Sequence, residues 1–219
     1  MEMTLRYDGD VALVTWREGE NRLNLDSLGR LNEVIDELEH VEGPLAVVVT
    51  GDGKFFSNGL DLERFGANPA EFTATVDELE RTIGRLLVFP RYTVAAINGH
   101  AFAGGALLSC AFDARVMRED RGYWCMNEAE IGLALDEKLF SIIAHRLPRA
   151  TALEAAMTAR RYSALEAQHH GIVEHVASEH DVVPRALELA QRYASLNVTA
   201  LSKHKHLAHG AQAKTLGFV

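Results

Sequence analysis

The stretch YTVAAINGHAFAGGA, residues 92–106, runs from a continuous apolar segment into a glycine-rich turn and on into small residues. Residues 92–99 read as a buried strand ending at a glycine turn, and AGGALLSCAF, 103–112, reads as a buried helix. The same order occurs upstream. LAVVVTG, 45–51, is a β-branched run of the kind buried on both faces of a parallel sheet. The loop GKFFSNG follows it, and then a helix-like stretch from about Asp61, itself a good cap for that helix. A strand that passes into a helix through such a turn leaves the first backbone N–H groups of the helix without intrahelical partners. Two turns aimed at one point would make an oxyanion hole. Each turn alone would serve equally well for close helix packing.

Outward from these turns, VALVTW, 11–16, reads as a strand. A helix is expected from near Asp26, with Asp26 as its N-cap and Leu28, Leu31, Val34, Ile35 and Leu38 on one face. Gly43-Pro44 breaks the chain, and a second long helix over 69–89 stops at Pro90. Residues 113–120 read as a short strand and turn. From about 139 the chain is mostly helical, with a last segment from Pro184 to about His206. Strands alternate with helices, so the class is α/β. The expected division is a core over 1–140 carrying the active site and a helical region over 141–219 used for packing and oligomerisation, not two independent units.

Composition narrows the function. The chain has 219 residues and a formal net charge of -9. No nucleic-acid partner is expected, because neutralising phosphates requires surplus Lys and Arg. A small anionic ligand needs only a few local cations and helix N-termini. Cys110 and Cys125 lack any paired-cysteine spacing and read as buried free thiols in a reducing compartment. The first residues do not resemble a signal peptide, no run of about 20 apolar residues exists to span a membrane, and GFV is not a peroxisomal address. A cytoplasmic location is therefore expected. His169, His170 and His175, and His204, His206 and His209, cluster without metal-site spacing and read as surface residues, so no metal is expected. Neither a G-x-S-x-G elbow nor a Walker loop occurs.

Four segments together carry a resemblance. Phe56-Ser57-Asn58-Gly59-Leu60-Asp61-Leu62, Asn98-Gly99-His100-Ala101-Phe102-Ala103-Gly104-Gly105, Arg161-Tyr162-Ser163-Ala164-Leu165-Glu166-Ala167 and Gly171-Ile172-Val173 occur in the order and spacing of the crotonase (enoyl-CoA hydratase/isomerase) superfamily, and the chain resembles it over nearly its whole length. The resemblance implies a spiral of β-β-α units with a helical C-terminal region, an acyl-CoA substrate, no separate cofactor, and assembly as a homotrimer or hexamer. It implies that the backbone N–H groups of Asn58 and Gly104 hold the thioester oxygen. Arg22 and Leu23 resemble a first CoA-contacting loop, and Ser57, Asn58, Gly59, Leu60, Asp61 and Leu62 a second.

The carboxylates bear on the reaction. Hydratases of this superfamily use two glutamates to position and activate water. The first of these positions falls on Leu107, which can neither accept nor donate a proton. The second falls on Glu128 in Met126-Asn127-Glu128-Ala129-Glu130-Ile131-Gly132, which resembles the branch converting 3-enoyl-CoA to 2-enoyl-CoA. The segment Met117-Arg118-Glu119-Asp120-Arg121-Gly122 resembles plant-type members of that branch. One glutamate suffices to carry a proton from C2 to C4, and an apolar residue at 107 suits a dry pocket. The implied function is an enoyl-CoA isomerase in fatty acid metabolism. The alternatives are another acyl-CoA reaction of the superfamily, such as hydration or thioester hydrolysis, and a non-catalytic acyl-CoA-binding subunit. Glu130 and Glu137 lie near enough in sequence to stand in as base, with Glu130 expected on the opposite face.

Overall fold

Short runs of β-branched and small apolar residues build two sheets in the computed structural model, which describes residues 3–218. The chain begins with β1 (Met3–Asp8), β2 (Val11–Trp16), α1 (Leu25–Glu39), β3 (Ala46–Gly51) and β4 (Phe55–Ser57). It continues through α2 (Leu62–Ala67), α3 (Pro69–Val88), β5 (Tyr92–Ile97), β6 (His100–Phe102), α4 (Gly104–Ser109), β7 (Ala114–Arg118) and β8 (Trp124–Cys125). The later part holds α5 (Glu137–Arg146), α6 (Arg149–Thr158), α7 (Ala164–His169), β9 (His175–Ala177), α8 (Val182–Tyr193) and α9 (Val198–Thr215). Residue 140 thus falls inside α5.

The larger sheet has the order β1-β2-β3-β5-β7-β9, and the smaller is β4-β6-β8. Apart from the β1–β2 hairpin, every pairing is parallel. Three times in succession a strand of the large sheet is followed by a strand of the small sheet and then by helix: β3-β4-α2, β5-β6-α4 and β7-β8-α5. This is the β-β-α spiral of the crotonase fold, with helices making up most of the C-terminal region.

The apolar runs lack polar alternation because both faces of the large sheet are covered. Val47 and Val49 of β3 face the main core, with Leu31, Ile35, Ile83 and Leu87 of α1 and α3. Ala46 and Val48 face the other side, where Val182, Ala186, Leu189 and Ala190 of α8 pack. Helix α9 is tied to this frame by a charge. Lys205, 5% exposed, reaches Asp113 Oδ2 at 2.8 Å and donates to the Arg91 carbonyl at 3.2 Å. Among the described residues, no helix is long and apolar enough to cross a membrane.

Several boundaries differ from the sequence reading. The N-cap of α1 is Asn24, not Asp26: Asn24 Oδ1 accepts from the Ser27 N–H, and Ser27 Oγ accepts from the Asn24 N–H, a reciprocal capping box. Asp26 sits in the first turn and pairs with Arg64. Helix α4 ends at Ser109 instead of continuing to residue 112. The last segment is two helices, because Asn197 interrupts it and caps α9 by accepting from the Ala200 N–H. Strands β1 and β9 and the small sheet had no counterpart in the sequence reading.

Candidate active site

The loops that leave β4, β6 and β8 meet around one cavity of about 180 Å³. The first carries Leu60. Leu23 brackets that residue, donating its N–H to the Gly59 carbonyl at 2.8 Å and accepting the Asp61 N–H at 3.0 Å. In a parallel bridge of this kind, the bracketed residue's own N–H faces away from its partner. The Leu60 N–H accordingly has no hydrogen-bond partner among the described residues. Asn58, the donor inferred from the resemblance, cannot fill that role: its N–H donates to the Glu20 carbonyl at 2.9 Å. The Asn58 side chain is also committed, donating from Nδ2 to Glu20 Oε2.

The second loop turns on Ala103, whose backbone is left-handed at φ 48° and ψ -120°. Such a conformation is strained for a residue with a Cβ and is tolerated where surrounding structure enforces it. It starts α4 at Gly104, whose N–H is an orphan of the first helical turn and has no partner among the described residues. The two loops touch: a Cβ built on Gly59 would lie 3.1 Å from the Gly104 nitrogen. Leu60 and Gly104 both line the cavity.

The third loop supplies Glu128. Its strand, β8, is pinned to α4 by Trp124, whose Nε1 donates to Ser109 Oγ at 3.0 Å inside the core. The Glu128 carbonyl accepts from Leu133, which closes the turn. The Glu128 side chain is 8% exposed, and its Oε2 has no partner. Burial pushes this carboxyl up to about 7, against a smaller lowering by its own backbone N–H. The rest of the wall is apolar: Phe72, Val76 and Leu79 from α3, Leu107 from α4, and Leu133 and Leu135 beside Leu139 of α5.

The shifted carboxyl has a consequence for stability. In the unfolded chain Glu128 ionises near 4.5, while in the fold it keeps its proton until about 7. Below the lower value both states are protonated and the group has no effect. As pH rises between the two values the unfolded state is favoured increasingly, and above about 7 the full cost is roughly 3 kcal/mol. Glu128→Gln should therefore raise the melting temperature at pH 8–9 by roughly 6–12 °C and leave it unchanged near pH 4. Calorimetry across that range checks it; a shift independent of pH would contradict the assignment.

Of the residues expected at the site, Arg22, Asn58, Leu60, Leu62, Gly104, Leu107 and Glu128 line the cavity. Leu23, Ser57, Gly59 and Asp61 support it without lining it. Leu23 is fully buried, and Ser57 spends its hydroxyl on the Asn21 carbonyl at 2.7 Å. Asp61 caps α2 through the Arg64 N–H and borders an acidic groove with Glu18, Glu20 and Glu63. Arg22 is held by Glu20, 2.8 Å from Nε. Glu130 is exposed beside Arg161, and Glu137 is exposed on α5, so neither shares the cavity with the oxyanion loops. The wall from α3 was missed, although Phe72, Val76 and Leu79 recur at helical spacing. Among the described residues, no three His, Cys, Asp or Glu side chains gather as a metal site.

Comparison with known proteins agrees with this geometry. Residues 7–216 match the family model described as enoyl-CoA hydratase/isomerase. An Arabidopsis thaliana protein named enoyl-CoA delta isomerase 2, peroxisomal, is 30% identical over 88% of this chain and 85% of its own length. A Thermus thermophilus protein named putative enoyl-CoA hydratase is 37% identical over 91% of this chain and 80% of its own. The crystal structure of a probable enoyl-CoA hydratase from Mycobacterium tuberculosis superposes with a TM-score of 0.92 at 26% identity, covering 98% of this chain and 91% of that one. The chain belongs to the enoyl-CoA hydratase/isomerase family, within the crotonase superfamily.

Proposed function

We propose that this protein is an enoyl-CoA isomerase that moves the double bond of a 3-enoyl-CoA into conjugation with the thioester. The observation that carries the reading is a single buried carboxyl, Glu128, lining an apolar cavity together with Leu107. The N–H groups of Leu60 and Gly104 donate to the thioester oxygen, which becomes negative when the C2 proton leaves. Glu128 takes that proton, and the electrons spread from C2 over the double bond as far as C4. The same carboxyl then returns the proton at C4, leaving the double bond between C2 and C3. A carboxyl that titrates near neutrality suits both halves of this transfer. Arg22 stands at the cavity wall and is the cation nearest in role to a CoA contact.

The name of the Arabidopsis relative supports isomerisation, and that of the Thermus relative keeps hydration as the reaction to test against. Leu107 favours the former, because hydration gains from a second acid/base group that leucine lacks. Purified protein assayed with 3-enoyl-CoA and 2-enoyl-CoA side by side should isomerise the first at least about a hundredfold faster than it hydrates the second. Hydration as fast as isomerisation would overturn the reading.

A further inference from the structure

Besides Glu128, one polar side chain of the acyl cavity is uncommitted. Arg22 and Asn58 are both held by Glu20. Asn127 also lines the cavity, yet its Oδ1 is enclosed and has no hydrogen-bond partner. Glu128 Oε2, on the adjacent residue, is enclosed and unpartnered in the same way. An amide oxygen and a carboxylate oxygen are both acceptors, so neither can satisfy the other. Buried acceptors are rarely left bare, and the usual remedy is a donor such as water. A cavity of about 180 Å³ has room for one, and two polar partners meet the minimum a buried water needs.

We propose that Asn127 Oδ1 and Glu128 Oε2 hold one water molecule between them, and that this water adds slowly to the 2-enoyl thioester. The inference rests on the acyl-CoA reading of the cavity. A water donating both hydrogens to these oxygens turns its lone pairs away from them, towards the acyl chain. Its oxygen bonds to C3 while Glu128 takes one of its protons. The electrons of the double bond move to the thioester oxygen, held by the Leu60 and Gly104 N–H groups. Glu128 then delivers the proton to C2 as the enolate collapses. The sum is one water added across one double bond, giving a 3-hydroxyacyl thioester, with no other reactant. Asn127 thus stands in for the second carboxylate that Leu107 replaces. As a neutral acceptor it positions water without polarising it strongly, which keeps this reaction slow.

The experiment compares wild type, Asn127→Leu and Asn127→Asp for hydration of 2-enoyl-CoA and isomerisation of 3-enoyl-CoA. Each variant is assayed above the inflection of its own pH–rate profile. The readout is the ratio of the two rates, so a general loss of folded protein cancels. Asn127→Leu should lower the ratio by about tenfold or more, the worth of one hydrogen bond. Asn127→Asp, which keeps an acceptor oxygen, should hold the ratio at or above the wild-type value. A ratio unchanged in Asn127→Leu, or wild-type hydration no faster than that of Glu128→Gln, would overturn the proposal. Wild-type protein that hydrates but does not isomerise would remove the isomerase reading alone. Asn127 is then judged by hydration measured against affinity for a saturated acyl-CoA, with the same tenfold loss expected and its absence decisive against.

Discussion

Glu128→Gln should lower the isomerisation rate by about 10²–10⁴ while acyl-CoA affinity barely changes. The substitution keeps the size of the side chain and removes only its ability to take a proton. Affinity comes from the CoA and from apolar contacts with α3, Leu107 and the 133–139 segment, all of which remain. The carboxyl acts on the C–H bonds only as they break, so its loss falls on kcat. A second signature comes from titration. Burial pushes Glu128 up to about 7, and only the ionised form can accept the C2 proton, so kcat/KM in wild type should rise with pH through that value. Undiminished turnover in the glutamine variant would move the base elsewhere. Glu130 is the next residue to test by sequence, although it faces solvent beside Arg161.

Gly105→Ala should damage the site through the backbone. A Cβ at Gly105 would lie 2.4 Å from the Ser57 carbonyl oxygen and 2.7 Å from the Ser57 Cβ. Ser57 is fully buried and ends β4, so it cannot step aside without moving the loop that carries Leu60. The clash should destabilise the fold by about 1–3 kcal/mol, the usual range for overpacking. Separating the Leu60 and Gly104 donors should lower kcat by about 10²–10³, the effect of losing one oxyanion contact. Gly29→Ala is the control. It lies inside α1 with nothing within 4 Å of the new Cβ, and should stabilise by up to about 1 kcal/mol without touching turnover. Denaturant unfolding and steady-state kinetics on both variants check this; normal kcat in Gly105→Ala would show that the close contact of the two loops is not needed.

The parts of the fold that the sequence made legible are those where pattern and burial coincide. Residues 45–51 and 92–97 announce β3 and β5 because both faces of the sheet are covered, leaving no polar residue to blur the run. Strands β4, β6 and β8 are two or three residues long, and their sequences are indistinguishable from loop. Strand β1 was hidden for another reason: Arg6, Tyr7 and Asp8 are exposed at the sheet edge, and such residues carry little strand signal. The single capping oxygen that decides where α1 begins could belong to either Asn24 or Asp26 until the Ser27 hydroxyl is placed opposite one of them. At the site, Glu128, Leu107 and Gly104 were legible because side-chain chemistry or a glycine marks them. The donor on the first loop was assigned two residues too early. A backbone N–H has no sequence signature, and only the Leu23 bridge reveals which amide is left over.

The small sheet has one more implication. Its strands are parallel neighbours, paired Ser57 with Ala101 and Phe102 with Cys125, and adjacent strands lie roughly 4.8 Å apart. Their ends therefore form a ruler with three marks. Each mark launches a loop of distinct purpose, since Leu60 and Gly104 receive charge and Glu128 moves a proton. Because each loop belongs to a different turn of the spiral, one can be lengthened or rewritten while the spacing of the other two stays fixed by hydrogen bonds it does not share. The scaffold separates the measuring of distances from the choice of reaction, so a chain of this architecture can change its chemistry by exchanging the segment after β8 alone.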